Sequence, residues 1–166
     1  MTRTLARAGV AACICLLAAP ASSWAGTATL AVSAVIVSKN NCKFAAGTWP
    51  IAIVRNNGTG IDPSLTVTAT GTATATFTCK GSSALATFTV AANDGTHAAG
   101  AGLPRMQHVT AATEFLRYSL TISPASGSAS NGTPVTVTMT ASVLSADYQD
   151  ALPGTYWDTV AVTVSP

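Results

Sequence analysis

Few side chains in this 166-residue chain can do chemistry. Its two histidines are His97 and His108, and Asp94 lies just before the first. A Ser–His–Asp relay through Asp94 and His97 also needs a nucleophile on a sharp strand-to-helix turn, and nothing in the sequence resembles one. A metal site built from both histidines and Asp94 lacks the short ligand spacing such sites use. Both histidines are expected in solvent-exposed loops. Charged residues make up only 8% of the chain, so acid–base machinery is scarce. No enzyme activity, cofactor or metal is expected. A nucleic-acid partner is not expected either, because neutralising phosphates needs clustered Lys and Arg.

The remaining chemistry is sulfur chemistry, and where it happens depends on the first segment. Arg3 and Arg7 precede an apolar run from Ala8 to Ala19. Pro20 breaks the run, and Ser23-Trp24-Ala25 gives a small-x-small site. Residues 1–25 therefore read as a secretion signal, with cleavage before Gly26. Cys13 and Cys15 leave with it. Cys42 and Cys79 remain in an exported chain, where two cysteines most simply form one disulfide. A metal pair would need a CxxC or a nearby His, and neither is present. Closing the loop between them is worth about 4 kcal/mol on the chain-entropy model. Arg3 and Arg7 leave too, so six basic and six acidic residues remain and the mature chain is formally neutral. Neutrality favours self-association over repulsion.

The elements that carry these residues have a period of two almost throughout. Ala and Thr supply about a third of the chain, which suits tightly packed strands. Ala28, Leu30, Val32, Ala34 and Ile36 form one apolar face near the mature terminus. Strands are expected over 49–55, 65–79, 85–91, 114–122, 134–143 and 155–164. In the long Leu65–Cys79 run, Thr66 to Thr78 line one face and Val67 to Cys79 the other, with Gly71 expected as a bulge or break. Asn57-Gly58, Asp94-Gly95, Asn131-Gly132 and Pro153-Gly154 are turn signals. The stretch from Gly95 to Thr113 is expected as loop. Residues 26–166 thus form a single all-β sandwich domain. Glu114 and Arg117 are expected to pair at the surface, with little energetic weight. Trp49 and Trp157 are expected to pack, because aromatics are scarce and each buries a large area.

The last strand reads Gly154-Thr155-Tyr156-Trp157-Asp158-Thr159-Val160-Ala161-Val162-Thr163-Val164. Tyr156, Val160, Val162 and Val164 share one face. Together with Asn41-Cys42-Lys43-Phe44, Thr76-Phe77-Thr78-Cys79, Arg105-Met106 and Leu116-Arg117-Tyr118-Ser119-Leu120, this run resembles the spore coat protein U domain family. That family includes subunits of archaic chaperone–usher pili. The resemblance spans about Thr27 to Pro166. Trp49-Pro50-Ile51 and Asn56-Asn57-Gly58 stand where many relatives carry a Phe-Gly turn, and Thr121 stands where many carry Tyr.

The residues alone leave the segment 28–37 open between an ordinary first strand of a closed sandwich and a strand lent to another subunit. The resemblance implies the second. It implies an immunoglobulin-like Greek-key β-sandwich that lacks its last strand and is completed by a donor strand. Ala28, Leu30, Val32, Ala34 and Ile36 would be the donor plug. Tyr156, Val160, Val162 and Val164 would border the groove and meet the chaperone. Cys42 and Cys79 would tie the first strand to the second. The implied partners are neighbouring pilin subunits in a head-to-tail polymer, a periplasmic chaperone and an outer-membrane usher. The implied route is through the periplasm to the cell surface, for attachment and biofilm formation. The alternatives are a tip or surface adhesin that binds a ligand, and a closed coat or matrix domain that does not polymerise.

Overall fold

The computed structural model describes residues 40–53 and 60–166. The apolar segment 28–36, Arg55 and the Asn57-Gly58 turn lie outside the described residues.

The described chain is an antiparallel, immunoglobulin-like β-sandwich with one helical turn. Its strands are β1 (Asn40–Phe44), β2 (Ala69–Gly81), β3 (Leu85–Ala92), β4 (Arg105–His108), β5 (Phe115–Arg117), β6 (Ser119–Ser123), β7 (Ser126–Ser130), β8 (Pro134–Val143), β9 (Tyr156–Trp157) and β10 (Val162–Ser165). The helical turn α1 is Ser145–Tyr148. Three sheets form, in the orders β1-β2-β8-β6, β10-β3-β7 and β5-β4-β9.

The Thr/Ala alternation decides which way β2 faces. Ala69, Gly71, Ala75, Phe77 and Cys79 are buried, while Thr70, Thr72 and Thr74 are exposed. A period of two on a pleated strand can give only this segregation. Opposite it, β8 buries Val137, Met139, Ala141 and Val143. The two strands pair without interruption from Ala69↔Val143 to Thr78↔Pro134. The break expected at Gly71 is therefore absent. The glycine is there for space: a Cβ on it would collide with the carbonyl of Ala52, whose backbone crosses close above the strand.

The main core lies between the first two sheets. Phe77 stands 4.9 Å from Phe88 and 5.6 Å from Phe44, both edge-to-face. Such pairs add about 0.5–1.5 kcal/mol beyond their buried area. Trp49 packs 5.3 Å from Phe44, as expected. A second cluster of Ala69, Leu116, Val143 and Tyr148 fastens the third sheet to the other end of β2 and β8.

Several expected elements come out differently. The 49–53 stretch is irregular rather than a strand. The expected loop 95–113 contains β4. The run 114–122 splits at Tyr118, with β5 pairing β4 and β6 pairing β8. The last run splits as well, with β9 pairing β4 and β10 pairing β3. In both cases the alternation continues while the hydrogen-bond partner changes sheet.

Candidate functional site

Cys42 and Cys79 are directly opposite in the β1–β2 ladder and form the expected disulfide, with S–S 2.02 Å. It fixes β1, and with it the loop that follows. That loop, Gly47 to Ile51, is one rim of a long apolar groove of about 630 Å³. Leu120 of β6 and Met139 and Ala141 of β8 lie along its floor. The opposite rim is the C-terminal run from Tyr156 to Val162.

The C-terminal rim has the alternation its sequence announces. Tyr156, Val160, Val162 and Val164 are half-buried, while Trp157, Thr159, Ala161 and Thr163 are exposed. Its backbone is bonded on one side. β9 pairs β4 and β10 pairs β3, while the amides of Asn93 and Thr96 donate to the carbonyls of Ala161 (3.0 Å) and Thr159 (3.1 Å). Among the described residues no strand pairs the other side, which faces the groove. Val162 and Val164 pack against the main core from this open position. A neighbouring cavity of about 500 Å³ shares Ile51, Ile53, Met106 and Tyr156 with the groove and extends it towards α1.

The rim is anchored by a carboxylate that itself lines the groove, as does its partner Tyr118. Asp158 Oδ1 accepts from the Thr96 amide (2.9 Å), Thr96 Oγ1 (2.8 Å) and the His97 amide (3.2 Å), and lies 3.1 Å from His97 Nδ1. Its Oδ2 accepts from Tyr118 Oη at 2.7 Å. Burial pushes the carboxyl up, but the hydrogen bonds from Tyr118, Thr96 and the amides of Thr159 and His97 outweigh it and hold it below the usual carboxylate range. Tyr118 is raised in turn, first by burial and then by its bond to Asp158. Asn93 completes the clamp, its Oδ1 accepting from the Ala161 amide at 2.9 Å. Sequence reasoning did not single out Tyr118, Asp158 or the floor residues. Asp158 and Tyr118 stand in two of the motif runs, and the alternation of 114–122 and 134–143 pointed to the floor.

The histidines differ from expectation. His97 is half-buried and its ring meets Trp157 edge-on at 4.7 Å. His108 is buried, with 5% of its surface exposed. Its Nδ1 accepts from the amides of Thr110 (3.2 Å) and Ala111 (3.0 Å), which places the proton on Nε2, 3.3 Å from the Pro153 carbonyl. A buried imidazole is tolerated here because both nitrogens have partners. Gly154 lies against that ring, and a Cβ there would run into Nε2. Asp94 neither meets the histidines in a relay nor joins a metal set. Its Oδ2 accepts from the Gly102 amide at 2.9 Å. Among the described residues no group of three or more His, Cys, Asp or Glu could hold a metal ion. The expected Glu114–Arg117 pair does not form: no carboxylate among the described residues lies within 4.0 Å of Arg117. Trp157 is 47% exposed rather than packed, because its strand position points away from the core.

Residues 26–163 match the model of the Spore Coat Protein U domain, and the chain belongs to that family. No curated protein matches it. Among solved structures, one similar chain comes from work described as "Chaperone-tip adhesin complex is vital for synergistic activation of CFA/I fimbriae biogenesis". It is 13% identical with a TM-score of 0.40, over 74% of this chain and 42% of that one.

Proposed function

We propose that this Spore Coat Protein U domain protein is a structural subunit of a chaperone–usher fimbria that polymerises by donor-strand complementation. The observation that carries the reading is the C-terminal rim: a strand edge without a partner among the described residues, bordering an apolar groove. Such an edge is an aggregation hazard unless another strand covers it. A strand that covers it makes main-chain hydrogen bonds to the rim and sets alternate side chains into the groove.

The segment Ala28, Leu30, Val32, Ala34, Ile36 of a neighbouring copy has the required alternation. Burying Leu30, Val32 and Ile36 is worth about 1.5–3 kcal/mol each. A head-to-tail contact of this kind does not close on itself and gives a filament. In this reading residues 1–25 direct export. A periplasmic chaperone covers Tyr156, Val160, Val162 and Val164 in transit, and an outer-membrane usher exchanges it for the next subunit. The fibre then serves surface attachment and biofilm formation, with no cofactor and no nucleic acid.

The test is a denaturing gel of protein exported with its chaperone and usher, run before and after boiling. A ladder that collapses to monomer on boiling is expected, and Leu30→Asp with Val32→Asp should abolish it. A single monomer band in both lanes from folded protein would instead mean a closed domain.

A further inference from the structure

The β5-β4-β9 sheet has two faces. Met106, His108, Leu116 and Tyr156 turn inwards. The other face carries Arg105 and Gln107 from β4, Phe115 and Arg117 from β5, and Trp157 from β9. The register places Arg105 directly opposite Arg117, and Gln107 between Phe115 and Trp157. Like charges directly opposite each other on neighbouring strands are destabilising. Among the described residues no carboxylate lies within 4.0 Å of either guanidinium to relieve them.

Arg105, Trp157 and Gln107 are each held in place. Arg105 Nε donates to the His97 carbonyl at 2.6 Å, and its guanidinium carbon sits 3.7 Å from the centre of the Phe115 ring. Trp157 is 47% exposed yet braced by the edge of His97 at 4.7 Å. Gln107 Nε2 donates to the Ala112 carbonyl at 2.9 Å, which leaves its carbonyl oxygen turned to other donors. A held Arg105 with an exposed Arg117 directly opposite it suits a carboxylate, which guanidinium groups bind in a planar, two-pronged geometry. A fixed, exposed indole suits the apolar face of a ring. Trp157 and Arg117 flank β4, two strand spacings apart and two residues out of register, or ~12 Å. That distance suits linked rings better than a single small anion.

We infer that this face binds a carboxylated polysaccharide. One uronate carboxylate lies across Arg105 and Arg117, an adjoining sugar ring stacks on Trp157, and a hydroxyl donates to Gln107. A nucleic acid fits less well, because two arginines on a formally neutral domain cannot track a phosphate backbone. Trp157 also borders the groove, but Arg105, Gln107 and Arg117 lie outside it, so the Arg117 variants test the proposal whether or not the subunit accepts a donor strand.

The probe is polygalacturonate, titrated calorimetrically into the full chain at low and moderate salt, with a neutral dextran and a single-stranded oligonucleotide as comparisons. Polygalacturonate is expected to bind, more weakly as salt rises, and dextran is expected not to. Arg117→Ala and Trp157→Ala should each weaken it at least tenfold with unchanged circular dichroism. Arg117 has no carboxylate partner to lose, so Arg117→Glu keeps the test valid if the tryptophan variant fails to fold. Equal binding of dextran or oligonucleotide, or polygalacturonate affinity unmoved by either Arg117 change, would overturn the proposal.

Discussion

Replacing Asp158 tests the clamp on the groove rim. Its carboxylate takes hydrogen bonds from Tyr118 Oη at 2.7 Å, Thr96 Oγ1 at 2.8 Å and the Thr96 amide at 2.9 Å, with the His97 amide and Nδ1 just beyond. Asp158→Ala strands at least two of these donors in partly buried surroundings. An orphaned donor costs about 1–3 kcal/mol, so the variant should lose about 3–5 kcal/mol. For a domain of this size that is a fall in Tm of roughly 10–15 °C. Asp158→Asn keeps one acceptor oxygen and should lose less. The pH dependence separates the clamp from mere packing. The carboxyl is held below its ordinary value of 3.8 in the folded chain. Its contribution is therefore complete above that value and drains away as pH falls through the lowered one. The stability gap between wild type and Asp158→Asn should narrow on acidification. At the alkaline end, Tyr118 is raised above its ordinary 10.0, so its contribution holds below pH 10 and falls above it. Urea unfolding followed by tryptophan fluorescence gives both profiles. A loss below about 1 kcal/mol for Asp158→Ala, or a gap unchanged with pH, would refute the reasoning.

Two further outcomes follow from the same geometry. Cys42→Ser with Cys79→Ser opens a loop of sequence separation 37 and should cost about 4 kcal/mol on the chain-entropy model, seen as a lower urea midpoint that reducing agent reproduces in the wild type. Gly154→Ala drives a methyl into the His108 ring and should destabilise by about 1–3 kcal/mol, the usual cost of overpacking. Gly132→Ala, at a turn with nothing near its Cβ but a φ of +76°, provides the comparison for backbone strain without collision.

What the sequence made legible follows from what periodicity encodes. It encodes which face a residue takes, so the buried and exposed sets of β2, β3 and β8 could be written down in advance. So could the half-buried set Tyr156, Val160, Val162 and Val164. Periodicity is silent on which neighbour a strand bonds to. The runs around Tyr118 and Asp158 therefore read as single strands, although each changes sheet at that residue. It is also silent where a strand carries almost no apolar side chain. β7, Ser-Gly-Ser-Ala-Ser, offers only Ala129 to the core, and Gly127 is small because the Phe88 ring occupies the space of its Cβ. His108 was misplaced because a lone histidine reads as polar. Its burial depends on backbone amides of Thr110 and Ala111 that only the folded turn supplies.

The motif runs acquire a common role once the contacts are known. Tyr118 from one run bonds Asp158 from another, Gly154 seats its chain against His108, and Cys42–Cys79 secures β1 ahead of the opposite rim. Gly154 and the disulfide act from outside the groove, while Tyr118 and Asp158 meet along its lining. A rim with no anchor in its own subunit would need an inserted strand in order to be ordered, and that ordering would be charged against binding at about 1–2 kcal/mol per residue. Anchored within its own subunit by Asp158 and Asn93, the edge keeps its extended shape with its inward side chains already in place. If a donor strand is inserted, as proposed, it then has to order only itself. On the donor-strand reading the aspartate is therefore more than a stability element. Losing it should slow capture of the incoming strand even at temperatures where the domain remains folded, while truncating a floor residue such as Leu120 should weaken the captured complex and leave the rim ordered.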